Sequence, residues 1–281
     1  MKYLLYSPWK NVWVDYIKKY FESKGDSLTW TKTIDPYEIS LHNVLICGWA
    51  DKNSLSVVQF PKLCDKYFCY IRSYEYYNLN PSKILLERFD KTIFVNRHIQ
   101  LKMRLNNSVF IPNGIDLDRI KFKEHKHGKN ILCLHDLNFK KGIPLLVQIA
   151  LELKDYQFNI YGNVTDLRLK DYINQMSLHN VHLLGYETDI QKLFDSHDAL
   201  LLCSPAEGNP NCVIEGMAAG LKPIIHSFTG YNMQFPEPLI FRSVKQAVDR
   251  IKDTEYNSKL YRLWIENNYD MYKVYPKLEE L

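Results

Sequence analysis

The sequence predicts an α/β protein built on two parallel sheets, and three observations carry that reading. Short apolar runs alternate with stretches of helical period from one end of the chain to the other, as strands joined by helices require. Twelve such runs can be counted, too many for one ordinary open sheet and right for two sheets of about six strands. The chain has 281 residues, 46% of them hydrophobic, enough to bury two cores of ordinary size.

Taken in order, the strand-like runs of the first half are residues 3–6, 28–32, 44–49, 67–71, 92–96 and 109–111. Those of the second half are 130–134, 158–161, 181–184, 199–203, 223–226 and 239–241. Most are continuously apolar, as strands covered on both faces are. Between them, Ile143, Leu146, Val147, Ala150 and Leu153 fall on one helical stripe. That helix begins after Gly142, with Pro144 in its first turn, where a missing N–H does no harm. Residues 9–21 and 244–251 have the same period. The seam between the sheets follows Asn113-Gly114, dividing the chain into domains 1–115 and 116–281. A final aromatic segment, 256–281, is helical in pattern until Pro276 and is expected to be able to pack back on the first domain.

Composition narrows the function classes. Aromatic residues make up 14% of the chain and glycines number only 11, which excludes a low-complexity or disordered chain. The net charge of +4 suits a phosphorylated ligand and allows peripheral contact with an anionic membrane surface, without requiring either. It does not recommend nucleic acid as a partner. Cys47, Cys64, Cys69, Cys133, Cys203 and Cys212 form no Cys-x-x-Cys pair, so reduced thiols and a cytoplasmic setting are the simplest expectation. No apolar run approaches the ~18 residues of a membrane span, and the N-terminal apolar run, broken by Pro8 and Lys10, does not read as a secretory signal. Loops of the dehydrogenase, P-loop, serine hydrolase and zinc protease types are all missing.

The chemistry concentrates in residues 200–225. A buried strand ends in the polar loop Ser204 to Pro210, and a helix opens near Asn211. Open α/β sheets bind ligands at the carboxyl ends of their strands, and helix N-termini present N–H groups to anions. The backbone of Asn209, Pro210, Asn211, Cys212 and Val213 is therefore a seat for a diphosphate. Glu215 lies about a turn into the helix, in position to accept ribose hydroxyls, and Glu207 faces the same crevice from the loop.

The segment EGNPNCVIEGMAAG, with seven residues between Glu207 and Glu215, resembles the E-x7-E segment of retaining glycosyltransferases of the GT-B fold, family 4. The resemblance implies two Rossmann-like domains facing across a cleft, with a nucleotide diphosphate-sugar, UDP-sugar first, as co-substrate. It implies no resident cofactor and no required metal. It gives Glu207 the donor sugar and Glu215 the ribose. Lys141-Gly142 resembles the pair whose lysine reaches the diphosphate, making Lys141 the phosphate-neutralising residue. Asn113-Gly114-Ile115-Asp116 resembles the turn that closes the first domain, with Asn113 and Gly114 counted among the donor-binding residues, and Gly185-Tyr186 falls where the family places the nucleotide base. The acceptor implied is a glycan, a lipid-linked sugar or a small molecule. Lys10, Arg72 and Glu75 are the acceptor-side candidates, against solvated or loop ion-pair roles.

Departures accompany the likeness. Aligned on Lys141-Gly142, the chain has His135-Asp136-Leu137 where relatives carry an arginine, and Asp136 is expected to repel a diphosphate. Ser7-Pro8-Trp9-Lys10 replaces a glycine-rich loop after the first strand. These leave open a binding protein of the same fold without transfer activity; a glycosyltransferase acting on nucleic acid is the further alternative. Asp116-Leu117-Asp118 matches a metal motif of another glycosyltransferase fold, but in the wrong context, and His125 and His127 lack zinc-spaced partners.

Overall fold

A computed structural model describes residues 1–281. The chain divides into two compact units, Met1–Asp116 with Asn268–Leu281, and Leu117–Asn267. All twelve expected strands form, each within two residues of the expected ends.

In unit 1 the strands are β1 (Lys2–Tyr6), β2 (Ser27–Thr31), β3 (Val44–Cys47), β4 (Lys66–Ile71), β5 (Lys91–Phe94) and β6 (Ser108–Phe110). They make one sheet in the order β2-β1-β3-β4-β5-β6. Every pairing is parallel. The helices between them are α1 (Val12–Ser23), α2 (Pro36–Ser40), α3 (Lys52–Val57), α4 (Lys83–Leu86) and α5 (Arg97–Met103). Helix α1 buries Trp13, Val14, Tyr16, Ile17, Tyr20 and Phe21, a stripe of helical spacing that anchors it to the sheet. Each such side chain taken from water contributes on the order of 1.5–3 kcal/mol. The helix starts three residues later than the sequence suggests. Asn11 is extended at its N-cap, so Trp9 and Lys10 belong to the loop after β1.

Unit 2 repeats the plan with β7 (Asn130–Leu134), β8 (Gln157–Tyr161), β9 (Val181–Gly185), β10 (Ala199–Leu202), β11 (Lys222–His226) and β12 (Ile240–Phe241). Its order is β12-β11-β10-β7-β8-β9, again parallel throughout. Its helices are α6 (Ile143–Glu152), α7 (Leu167–Gln175), α8 (Ile190–Ser196), α9 (Asn211–Ala219), α10 (Val244–Lys252) and α11 (Ser258–Asn268). The core joins Ile131, Cys133, Phe158, Leu201 and Ile224 from the strands to Ile143, Leu146, Val147 and Ala150 of α6, the stripe read from the sequence.

The last helices, α12 (Met271–Val274) and α13 (Pro276–Glu279), belong to unit 1. Ile115 N–H donates to the Tyr269 carbonyl at 2.8 Å, and Met271 N–H to Ile115 at 3.0 Å, a two-bond splice. Tyr275 Oη donates to the Gly114 carbonyl at 2.9 Å and Tyr20 Oη to Glu279 Oε1 at 2.6 Å. Gly114 is required by this contact: a Cβ there would stand 2.9 Å from the Met271 Cα. Asp116 is mostly buried and pairs with Lys19 at 2.7 Å.

Candidate active site

In unit 2 the chain lays down β7, β8 and β9 outward on one side, then crosses back to place β10, β11 and β12 on the other. The order therefore reverses between β7 and β10. The crevice beyond the carboxyl ends of such a strand pair is where open α/β sheets take ligands. Both loops that flank it carry charge. Lys141 ends a 3-10 turn, Phe139–Lys141, after β7, and Glu207 lies in the loop after β10. Lys141 Nζ donates to Glu207 Oε1 at 2.7 Å, with side chains only 27% and 13% exposed.

Local sequence explains the meeting. Gly142 has φ +67°, the left-handed region, and accepts the turn's end at little steric cost. A Cβ at Gly142 would collide with the Cys203 carbonyl, so only glycine lets this loop lie against the end of β10. Burial is the largest single effect and lowers the Lys141 ammonium's pKa, but Glu207 together with its other neighbours, Cys212 and Asp136, outweighs it and leaves the pKa above the ordinary lysine value.

Helix α9 begins between the two. Pro210 is its N-cap and supplies no side-chain cap to the first turn. Val213 and Ile214 N–H groups both turn back to the Pro210 carbonyl, at 3.1 and 3.2 Å. Glu215, five residues into α9, is 5% exposed. Gly216 brings the helix close to β10, since a Cβ there would stand 2.8 Å from Leu200 Cδ1. Burial pushes the Cys212 thiol up to about 12, so it is a neutral, unreactive group. Gly185 closes β9 with φ +75° and receives the Gly162 N–H at 2.8 Å, while Tyr186 beyond it is 71% exposed.

Two features of this site have no sequence signal. Gln234 is buried, accepts from Asn209 Nδ2 at 2.9 Å and donates to the Gly208 carbonyl at 3.0 Å. One amide thus fixes the Glu207-Gly208-Asn209 loop from twenty-five residues away. His135, beside the ion pair, is also buried. Its Nδ1 faces the Asp136 carbonyl at 3.1 Å, and its Nε2 has no partner. Burial lowers its pKa to about 4. Asp136 accepts from the Asn163 N–H at 2.8 Å, tying the loop after β8 to the loop after β7.

The remaining sequence candidates lie in unit 1. Arg72 follows β4 and donates from Nη1 to Asn113 Oδ1 at 3.0 Å and from Nε to the Gly48 carbonyl at 3.4 Å. Its guanidinium lies 4.4 Å from the Trp13 ring centre. Glu75 is fully buried and accepts backbone N–H bonds from Arg72 at 3.1 Å and Ala50 at 3.3 Å, so it braces the loop. Burial lowers the Arg72 pKa and raises that of Glu75. Lys10 is 54% exposed and stands 3.5 Å from Asp15.

A cavity of about 650 Å³ in unit 2, lined by Lys222, Tyr256, Tyr261 and Trp264 among others, is at the strand-start end of the sheet, away from the Lys141–Glu207 loops. No group of three or more His, Cys, Asp or Glu is placed to hold a metal ion. No helix is long and apolar enough to cross a membrane.

Two parallel six-stranded Rossmann-like units, the second with a charged pair and a helix N-terminus at its switch point, place the chain in the doubly wound α/β class. The chain belongs to the glycosyl transferases group 1 family, whose model matches residues 115–271, more than half of its length. No curated protein sequence matches it. Among solved structures, it is similar to Anabaena HepE in complex with UDP-glucose, with TM-score 0.81 and 13% identity over 100% of this chain and 98% of that one. Sucrose-phosphate synthase from Thermosynechococcus elongatus gives TM-score 0.80 and 12% identity, covering 100% and 98%. A glycosyltransferase from Rickettsia africae gives 0.74 and 15%, covering 99% and 97%. At these identities the likeness establishes the fold, which is GT-B.

Proposed function

We propose that this protein is a retaining glycosyltransferase of family 4 that transfers a sugar from a UDP-sugar to a hydroxyl of a glycan, a lipid-linked sugar or a small acceptor. The observation that carries the reading is the Lys141–Glu207 pair at 2.7 Å beside the uncapped start of α9, at the switch point of unit 2. That HepE is described with UDP-glucose bound supports uridine as the nucleotide.

In this reading the diphosphate lies on the first turn of α9, along Pro210, Asn211, Cys212 and Val213. Lys141 exchanges part of its contact with Glu207 for the phosphate. Glu207 then faces the donor sugar, Glu215 accepts the ribose hydroxyls, and the base lies by Gly185 and Tyr186. As the bond from the anomeric carbon to the phosphate oxygen breaks, negative charge grows on the leaving group. Lys141 and the helix N-terminus are already oriented to receive it. The acceptor oxygen bonds to the same face of the carbon, and its proton passes to the departing phosphate oxygen. No resident metal or cofactor takes part in the proposal.

The test is proton NMR of turnover with UDP-glucose, UDP-galactose and UDP-N-acetylglucosamine. Release of an α-configured product from an α-linked donor is expected, with a loss of about 10²–10³-fold in Glu207→Gln. A β-configured product would refute retention. A second reading, donor binding without transfer, is motivated by Asp136 standing where relatives carry an arginine. UDP binding with neither transfer nor donor hydrolysis would favour it.

A further inference from the structure

Unit 1 has a switch point of its own. From β1 the chain steps to β2 on one side, then crosses to the other side of β1 for β3 and continues outward. The loops that flank the reversal are those after β1 and after β3. Each presents an indole: Trp9 from the first and Trp49 from the second, ring centres 5.4 Å apart and edge to face. The next strand, β4, adds Tyr74, 6.4 Å from Trp49 and again edge to face. Three aromatic rings thus stand in a row beyond the carboxyl ends of three adjacent strands.

The row is held in place. Trp49 Nε1 donates to Ser7 Oγ at 3.2 Å, and Ser7 Oγ donates to the Trp9 carbonyl at 2.6 Å, locking the two loops together. Arg72 backs the Trp49 ring at 5.2 Å. Yet Trp9 is 59% exposed and Tyr74 43% exposed. A core role would bury these rings. A rigid, exposed aromatic surface suits a ligand with a flat C–H face, because ring faces carry negative charge and C–H edges positive. A pyranose has such a face, and its hydroxyls remain turned to solvent and to polar neighbours. A flexible alkyl chain has no polarised C–H face to match the rings and loses more rotamer freedom on binding.

We infer that Trp9, Trp49 and Tyr74 form the acceptor platform, and that the acceptor is a saccharide whose pyranose ring stacks on Trp9. This rests on the proposed glycosyl transfer. Trp9 and Tyr74 are then specificity-determining residues for the acceptor.

The experiment is saturation-transfer NMR on the full chain with UDP present. The probes are methyl β-glucoside, methyl β-galactoside, methyl α-mannoside, N-acetylglucosamine and, as a lipid-like control, decyl phosphate. Saturation of the C–H protons of at least one saccharide is expected. It should weaken at least about tenfold in affinity in Trp9→Ala and Tyr74→Ala. UDP affinity, measured by calorimetry on the same samples, should not change, and near-UV circular dichroism with urea unfolding checks that unit 1 of each variant is folded. Absence of saccharide saturation in the wild type, binding of decyl phosphate alone, or saccharide binding indifferent to both substitutions would overturn the inference. Failure of UDP to bind the wild type would instead count against the proposed function.

Discussion

Lys141 Nζ and Glu207 Oε1 stand 2.7 Å apart, although the residues come from loops that follow two different strands, β7 and β10. The lysine is half-buried, so its charge depends on what lies beside it. In the absence of donor its partner is Glu207; in the proposed complex it is the diphosphate. The carboxylate therefore competes with the ligand. Lys141→Met is expected to weaken UDP binding about ten- to a hundredfold. Glu207→Gln should leave UDP affinity unchanged or raise it, while transfer collapses. Isothermal calorimetry of both variants checks this, and a large loss of UDP affinity in Glu207→Gln would contradict the competition.

Gly142 is the hinge of that arrangement. Alanine there would be strained at φ +67° and would press on the Cys203 carbonyl. Gly142→Ala is expected to destabilise unit 2 by about 1–3 kcal/mol and to displace Lys141. Urea unfolding followed by far-UV circular dichroism measures the first effect, and UDP affinity the second.

Gln234 makes a prediction that separates loop order from chemistry. Gln234→Leu keeps much of the volume but leaves the Gly208 carbonyl without its amide donor and removes the acceptor of Asn209 Nδ2. A stability cost of about 1–3 kcal/mol is expected. Loss of donor affinity should accompany it, although Gln234 is given no contact with the donor. Unchanged stability would mean that the loop holds itself.

The pH dependence follows from His135. Its pKa falls from the ordinary 6.5 to about 4 because burial disfavours the imidazolium. The unfolded chain therefore takes up this proton at a higher pH than the folded one. Stability from the neutral ring is fully present above about pH 6.5 and is lost as pH falls towards 4, in all about 3 kcal/mol. His125, His197 and His226 are lowered by burial too and act in the same direction. His135→Asn should flatten part of the slope of the urea midpoint between pH 7 and 4. An unchanged slope would show that the other three account for it.

Much of this was legible because the signals were local and periodic. Apolar runs and helical stripes located all twelve strands and α6, and the spacing of Glu207 and Glu215 marked the strand–loop–helix unit around them. What escaped depends on distant partners. Gln234 carries no local signal, and its role emerges only where its amide meets Asn209 and Gly208. Gly114 reads as a turn glycine, yet the constraint is Met271, brought there by the return of the chain's end to unit 1. Asp136 reads as a charge beside the diphosphate, and the sequence does not show that its carboxylate also accepts the Asn163 N–H. Trp9 continues the apolar pattern of α1, but Asn11 caps the helix after it and leaves the indole in the loop.

In the proposed complex unit 2 holds a uridine diphosphate between Lys141, the start of α9 and Glu215. Thermal unfolding with and without UDP, on the wild type and on Glu215→Gln, tests it most directly. A ligand that binds only the folded state stabilises it by about 2.7 kcal/mol at a hundred times its dissociation constant. A clear upward shift is expected for the wild type with UDP, smaller with GDP or ADP, and largely absent in Glu215→Gln. No shift with UDP, or the same shift in the variant, would contradict it.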